Sequence, residues 1–416
     1  MNTRIKLRGA GIGVLGLTFA LAAAGCGDTS SESGSGDIVI GSVHPISGAL
    51  ALEGGQMDQG VKLAVDDINA GGGIASPDGR ELRVASGDSQ GKPDVGQTVA
   101  QQLIQRDDAV ALVGAYQSAV SLNVSTVAER YEVPLIMDIA ADDAILDGEQ
   151  QWSFRLQPNA TTMGRDGATN LADISEAEGD PVQTVAYLHD NTSFGEGIFA
   201  AFEEEAAARG MEVVEEIPYD PFATEDFTTQ MTRIASLEPD AIVATGYYAD
   251  GIKIAQAAAA VAPNVKTVFG VGQAAWANLN FTRDAGDGAQ LVFCSCYHEN
   301  ATAEATTDVR QRFEAEFGAP MVSEAVFAYQ ATLLVAEALE EAGSAEPEAV
   351  RDAIAALSSE NELLAYADPT TFDDNGENEA AAPVVTQVQE GELVQVYPTD
   401  LAETTPMYPG TSWSTP

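Results

Sequence analysis

From Asp37 onward, short β-branched runs alternate with longer stretches of helical spacing, and the alternation restarts once along the chain. That pattern admits few folds, because strand, helix and strand in succession close into a βαβ unit and a series of them builds a parallel sheet covered by helices. Residues 38–43 read as the first strand. A helix over about 54–69 follows, with Val61, Ala64, Val65 and Ile68 on one face and a stop at Gly71-Gly72-Gly73. Strands over 82–85, 110–114 and 134–137 and helices over 94–105 and 118–130 complete the first series, with Ser118 at the expected N-cap. The second series, after residues 154–158, places strands over 184–188, 211–214, 241–244 and 267–270. Its helices run over 195–209, 227–237 and 250–262. A chain of 416 residues exceeds one growing core, so two series predict two lobes.

A third block, from Leu291 through a helix over 324–342, reads as a return to the first lobe, and residues 371–376 with a strand over 383–388 read as a return to the second. The predicted fold class is therefore α/β, two doubly wound parallel-sheet lobes joined by a three-crossover hinge. Lobe 1 takes 37–157 plus 289–370, lobe 2 takes 158–288 plus 371–405, and 406–416 form a tail.

Residues 1–25 carry an export signal: Arg4, Lys6 and Arg8 precede the acid-free apolar run 11–21. It ends in Leu21-Ala22-Ala23-Ala24-Gly25-Cys26, similar to a bacterial lipobox, with Cys26 the site of lipidation; simple secretory cleavage near Ala24 is the alternative. Residues 26–36 are Gly/Ser-rich and read as a flexible tether. The expected location is extracytoplasmic, on the outer face of the cell membrane, held by lipid on Cys26.

Charge excludes one class of partner. With 19 Lys+Arg against 64 Asp+Glu, a formal net charge of −45, the surface repels phosphate backbones, so nucleic acid is not expected. A saline habitat and an acid-biased genome both account for the surplus, which speaks to solubility and not to fold. Cys294-Ser295-Cys296, with His298 nearby, is too thin a set for a metal site and reads as two small buried side chains.

The run Ile40-Gly41-Ser42-Val43-His44-Pro45-Ile46-Ser47-Gly48, residues 60–74, Gly114-Ala115-Tyr116-Gln117-Ser118, Phe154-Arg155, residues 190–197 and Asp226-Phe227 before Pro239-Asp240-Ala241-Ile242 occur in an order and spacing that resemble one family. It is the branched-chain amino acid (Leu/Ile/Val-type) substrate-binding proteins of ABC importers, with the type I periplasmic binding fold. The resemblance implies that Ser118 and neighbouring amides hold a ligand carboxylate, that Phe194 lies over the ligand, and that Tyr247 or Tyr248 closes on it. In this fold class ligands lodge at the carboxyl ends of parallel strands, where helix N-termini offer unpaired N–H groups.

Departures bear on specificity. Where the family carries a threonine after its fourth strand, this chain reads Asp138-Ile139-Ala140-Ala141-Asp142, and where it places a glutamate for the ligand ammonium, Gly270-Val271-Gly272-Gln273 holds no acid. Glu53 and Glu324 are the acids that compensate if an ammonium is bound. The candidate ligand-binding set is thus Tyr116, Gln117, Ser118, Ile139, Ala140, Ala141, Phe194, Tyr247, Tyr248, Gln273, Glu53 and Glu324. No cofactor, metal or catalytic residue is assigned. The expected function is capture of a small polar organic ligand (amino acid, amide or carboxylate) by a monomer that closes on its hinge and delivers to an ABC permease and its ATPase. A ligand sensor of the same fold and a secreted hydrolase are the alternatives; His44, His189 and His298 are the only histidines, and His189-Asp190 at a strand end is read as a loop pair.

Overall fold

Two separate sheets carry the alternation. The computed structural model describes residues 36–75, 79–148, 150–360 and 363–413. The signal, Cys26 and all of the tether but Gly36 lie outside the described residues. The first sheet contains β1 (Ile38–His44), β2 (Leu82–Asp88), β3 (Ala109–Gly114), β4 (Leu135–Met137) and β5 (Ser153–Arg155) in the order β2-β1-β3-β4-β5, every pair parallel. Every residue of β1 is buried, as in a strand covered on both faces by helices. The connecting helices are α1 (Ala51–Ala70), α2 (Pro93–Asp107) and α3 (Ser118–Tyr131).

The second sheet holds β6 (Thr184–Asp190), β7 (Glu212–Tyr219), β8 (Ala241–Gly246), β9 (Thr267–Gln273), β10 (Phe293–Cys296), β11 (Val384–Gln389) and β12 (Glu392–Tyr397), ordered β12-β11-β10-β9-β8-β6-β7. Only β11 and β12 run antiparallel to their neighbours. Its helices are α4 (Ala160–Ala177), α5 (Ser193–Ala208), α6 (Thr228–Leu237), α7 (Tyr248–Val261) and α8 (Phe281–Ala285). Helix α4 was not among the sequence expectations. It packs along α5, with Gly164 so close that a Cβ there would fall 2.3 Å from the Ile198 carbonyl oxygen, and its buried face carries Met163, Leu171 and Ile174 beside small residues. Helices α9 (Glu304–Phe317), α10 (Ser323–Ala342) and α11 (Pro347–Ala355) complete the chain. Helix α10 lies along α1, and a Cβ on Gly60 would stand 2.4 Å from the Ala325 carbonyl oxygen.

Two expectations are corrected here. The run after Leu291 does not open a return to the first lobe: β10 pairs Phe293 with Phe269 of β9 and Phe293 with Gln387 of β11, so the chain crosses back only after Cys296. Residues 406–413 are not a loose end, because the Tyr408 hydroxyl donates to the Asp180 carbonyl at 2.6 Å and the Trp413 indole to that of Pro263 at 2.8 Å. Both hold this stretch to the second sheet's domain.

The crossovers lie side by side. Arg155, at the end of β5, donates to the Asp142 carbonyl at 2.8 Å and pairs with Glu377 at 3.2 Å, while its amide bonds the Gly376 carbonyl. Asn378 and Tyr366 both donate to the Leu156 carbonyl, at 2.8 and 3.1 Å. The second crossover joins in through Ala365 N–H to the His298 carbonyl and Asn300 N–H to the Leu363 carbonyl.

Candidate ligand-binding cleft

The carboxyl ends of strands from both sheets meet at one narrow cavity. It contains about 290 Å³ of non-atom space and is lined by Tyr116, Ser118 and Ile139 from the first lobe and Phe194, Gly246, Tyr247, Gly272, Ala274 and Tyr297 from the second lobe and its exit.

Ser118 is the first helical residue of α3, and the N-cap position belongs to Gln117, whose side chain makes no capping bond. Ser118 therefore does not cap its own helix, as the sequence suggested. Its Oγ instead accepts from the Asp142 amide at 3.2 Å. That leaves the hydroxyl proton as a donor. The amides of Val120 and Ser121 donate to the Gln117 carbonyl, whereas those of Ser118 and Ala119 have no acceptor among the described residues. A buried hydroxyl beside free amides at a helix N-terminus has the donors that an anionic oxygen requires.

Aromatic rings close the opposite wall. The Tyr247 centroid stands 5.6 Å from that of Phe194, 5.8 Å from that of Phe222 and 5.9 Å from that of Tyr116, which belongs to the other lobe. Of the two tyrosines, Tyr247 lines the cavity, whereas Tyr248 lies outside the lining and its hydroxyl donates to Asp284 at 2.6 Å. Truncating a central, desolvated aromatic typically costs about 2 kcal/mol of binding. Tyr247→Ala is expected to weaken the affinity of a bound carboxylate about 30-fold by calorimetry, whereas Tyr248→Phe changes it less than threefold.

Of the other sequence candidates, Ala140 and Ala141 are buried in the packed interior and do not reach the cavity. Gln273 turns away as well: its Oε1 accepts from the Ala275 amide at 3.1 Å, capping a short 3₁₀ turn, while its neighbours Gly272 and Ala274 line the space. Gln117 stands behind the wall, within reach of Gly91. Tyr297 was missed because its strand had been assigned to the wrong lobe; placed at the carboxyl end of β10 it is where a cleft residue belongs.

Acids surround the cavity without lining it. Glu53 and Glu324 are buried in the first turns of α1 and α10, and burial pushes them up to about 7 and about 8. Asp190 and Asp250, at the ends of β6 and α7's first turn, are raised by burial to about 6 and about 7. Thr192 donates to Asp190, and the Tyr219 hydroxyl to Asp250 at 2.5 Å.

The histidines serve structure. Ser42 Oγ lies 2.9 Å from His44 Nδ1 and His44 Nε2 lies 2.7 Å from Asp138, an order that mimics a nucleophile, base and acid. All three are fully buried, and the Ser42 hydroxyl donates to Asp58 at 2.7 Å, so its proton is already committed. His189 lies in β6, not in a loop, stacked on Phe199 with centroids 4.8 Å apart. Burial holds His298 down to about 3, neutral. Cys294 and Cys296 are buried free thiols beside the Gln273 carbonyl, at 3.4 and 4.0 Å.

A model of the periplasmic binding proteins matches residues 37–392. The chain belongs to that family. Within it, this solute-binding protein is 28% identical over 377 residues to the Leu/Ile/Val-binding protein homolog 8 of Brucella abortus, covering 88% of this chain and 92% of that one. Homolog 7 of Brucella suis is 26% identical over 379 residues, with the same coverage. Among solved structures, the branched-chain amino acid transporter substrate binding protein of Streptococcus pneumoniae in complex with isoleucine superposes with a TM-score of 0.73 at 24% identity, over 86% of this chain and 99% of that one. The solute binding protein of a Rhodopseudomonas palustris ABC transporter in complex with 3,4-dihydroxybenzoic acid gives 0.74 at 23%, over 86% and 95%. At such identities the structures speak for the fold, and the guest of this binding protein has to be argued from its own cleft.

Proposed function

We propose that this protein captures a small organic carboxylate between its lobes by hinge closure, outside the cytoplasm, and hands it unchanged to an ABC permease driven by a separate ATPase. The observation that carries the reading is the pairing, across one cavity, of Ser118 and the free amides of α3 with the ring of Tyr247. One wall binds a carboxylate and the other covers an apolar body. Isoleucine and dihydroxybenzoate, the guests of the two related structures, share those two parts. Closure is favoured because contacts to both walls exist only when the lobes meet. In this reading the mature chain is a monomer anchored by lipid on Cys26.

The mature chain, titrated with a panel of aliphatic and aromatic carboxylates and α-amino acids, should be stabilised by about 2.7 kcal/mol when a true ligand is present at 100 times its dissociation constant. Ser118→Ala removes a hydrogen bond to a charged group and is expected to weaken that ligand at least tenfold. Unchanged affinity in Ser118→Ala would remove the serine from the site, and a panel without binders would end the carboxylate reading.

A further inference from the structure

The first lobe holds two acids that nothing in the protein neutralises. Helices α1 and α10 start at the same end: Gln56 Oε1 accepts from the Val322 amide at 3.1 Å, and the close approach of Gly60 to Ala325 fixes the helices one turn further along. Glu53 and Glu324 are thereby brought together beside the cavity. Both residues are almost wholly buried, at 3% and 1% exposure. Glu324 Oε1 receives a 3.4 Å bond from the hydroxyl of Tyr297, whose ring lines the cavity, and Glu324 Oε2 is buried with no partner. No Lys, Arg or His among the described residues forms an ion pair with either carboxyl.

We infer that the guest carries a cationic nitrogen at the end remote from its carboxylate, received in the first lobe by Glu53 and Glu324 with the Tyr297 hydroxyl. This rests on the reading of the cleft as a carboxylate site and narrows it to zwitterions whose charges are separated by an apolar stretch. A buried carboxyl left without a hydrogen-bond partner is unfavourable, and a cation removes that penalty by ion pairing. Asp190 and Asp250 in the second lobe also keep one partnerless oxygen each, but the other oxygen of each is held by two donors, that of Asp190 by the Thr192 amide and hydroxyl and that of Asp250 by Tyr219 and the Tyr247 amide, whereas Glu324 has only its 3.4 Å bond. The groups facing Glu53 and Glu324 are Tyr116, Tyr297, Tyr248 and Cys296, none of which is cationic. Burial holds protons on both acids near neutrality, so a cation that binds expels protons and binds better as pH rises.

The test is calorimetry of the mature chain at pH 6 and pH 8.5 with a homologous series of ω-amino acids of four to six carbons, the matching unsubstituted acids, leucine and benzoate. An ω-amino acid should bind at least tenfold tighter than its parent acid at pH 8.5, its affinity should fall at least tenfold at pH 6, and protons should be released on binding. Glu53→Gln and Glu324→Gln, checked for folding by thermal unfolding, should reduce the preference to within threefold. If leucine or benzoate binds in a Ser118-dependent manner while the aminated and parent acids bind alike, or if both Gln variants keep the preference, the cation subsite is overturned and the carboxylate reading stands. If no carboxylate binds, both fall together.

Discussion

Glu377→Leu is expected to cost the folded protein about 3–5 kcal/mol, measured by urea unfolding of the mature chain, because it leaves a guanidinium without its counter-charge in the interior. The Arg155 side chain is fully buried, whereas that of Glu377 retains 23% exposure. The two partners are therefore unequal. Removing Arg155 leaves a carboxylate that can still reach water, while removing Glu377 strands a cation that cannot; burial already holds the Arg155 guanidinium below its ordinary value. The double variant Arg155→Met with Glu377→Leu should recover most of the loss, since both charges leave together and the methionine fills the volume. The pair also joins the first and third crossovers, so the same single variant is expected to loosen lobe closure. A single-variant loss below 1 kcal/mol, or a double variant less stable than Glu377→Leu, would remove the pair from the hinge.

How far the sequence discloses this molecule depends on what each segment is buried against. Strands such as β1 and β8, covered on both faces, are continuous apolar runs and are read directly from composition. Helix α4 was legible as well, since Asn159 caps it and Met163, Leu171 and Ile174 recur on its buried face, with Gly164 and Gly167, poor helix formers, interrupting the pattern. The lobe assignment of β10 failed for a different reason: a four-residue strand carries no mark of which sheet it joins, and only its pairing with Phe269 and Gln387 settles that. At the cleft, Ser118, Phe194 and Tyr247 stand where helix starts and strand ends converge, which order along the chain can indicate. The rotation of a side chain cannot be read that way. Gln273 and Tyr248 occupy the right positions, yet one caps a 3₁₀ turn and the other bonds Asp284, because nearer partners compete for their polar atoms.

The unliganded protein is expected to lose stability as pH rises from 6 to 8, against the usual direction for a carboxylate-rich protein. A carboxyl that an ion pair holds down adds stability that is lost in acid; Glu53, Glu324, Asp190 and Asp250 are raised to about 7, 8, 6 and 7, and the sign reverses. In the unfolded chain these groups release their protons near pH 4, while the folded chain retains them, so each contributes stability that is full below about pH 4 and is lost as pH climbs through its folded value. Every tenfold rise in proton affinity corresponds to about 1.4 kcal/mol, which puts the loss on the order of several kcal/mol between pH 4 and 8. The upper part of that window is the diagnostic one. Ordinary surface carboxylates are already ionised at pH 6, so the repulsion of a chain at formal charge −45 changes little beyond it, and the sequence has three histidines. Asp190 and Asp250 repel one another, so they titrate as a pair and the first proton leaves more readily than the second. Urea midpoints measured at pH 6, 7 and 8 should fall steadily. Asp250→Asn and Glu324→Gln should flatten the fall, each by removing one proton that folding holds. A slope that stays the same in both variants would show that Asp250 and Glu324 do not carry the dependence, and a stability that rises toward pH 8 would mean these carboxyls are ionised where they stand.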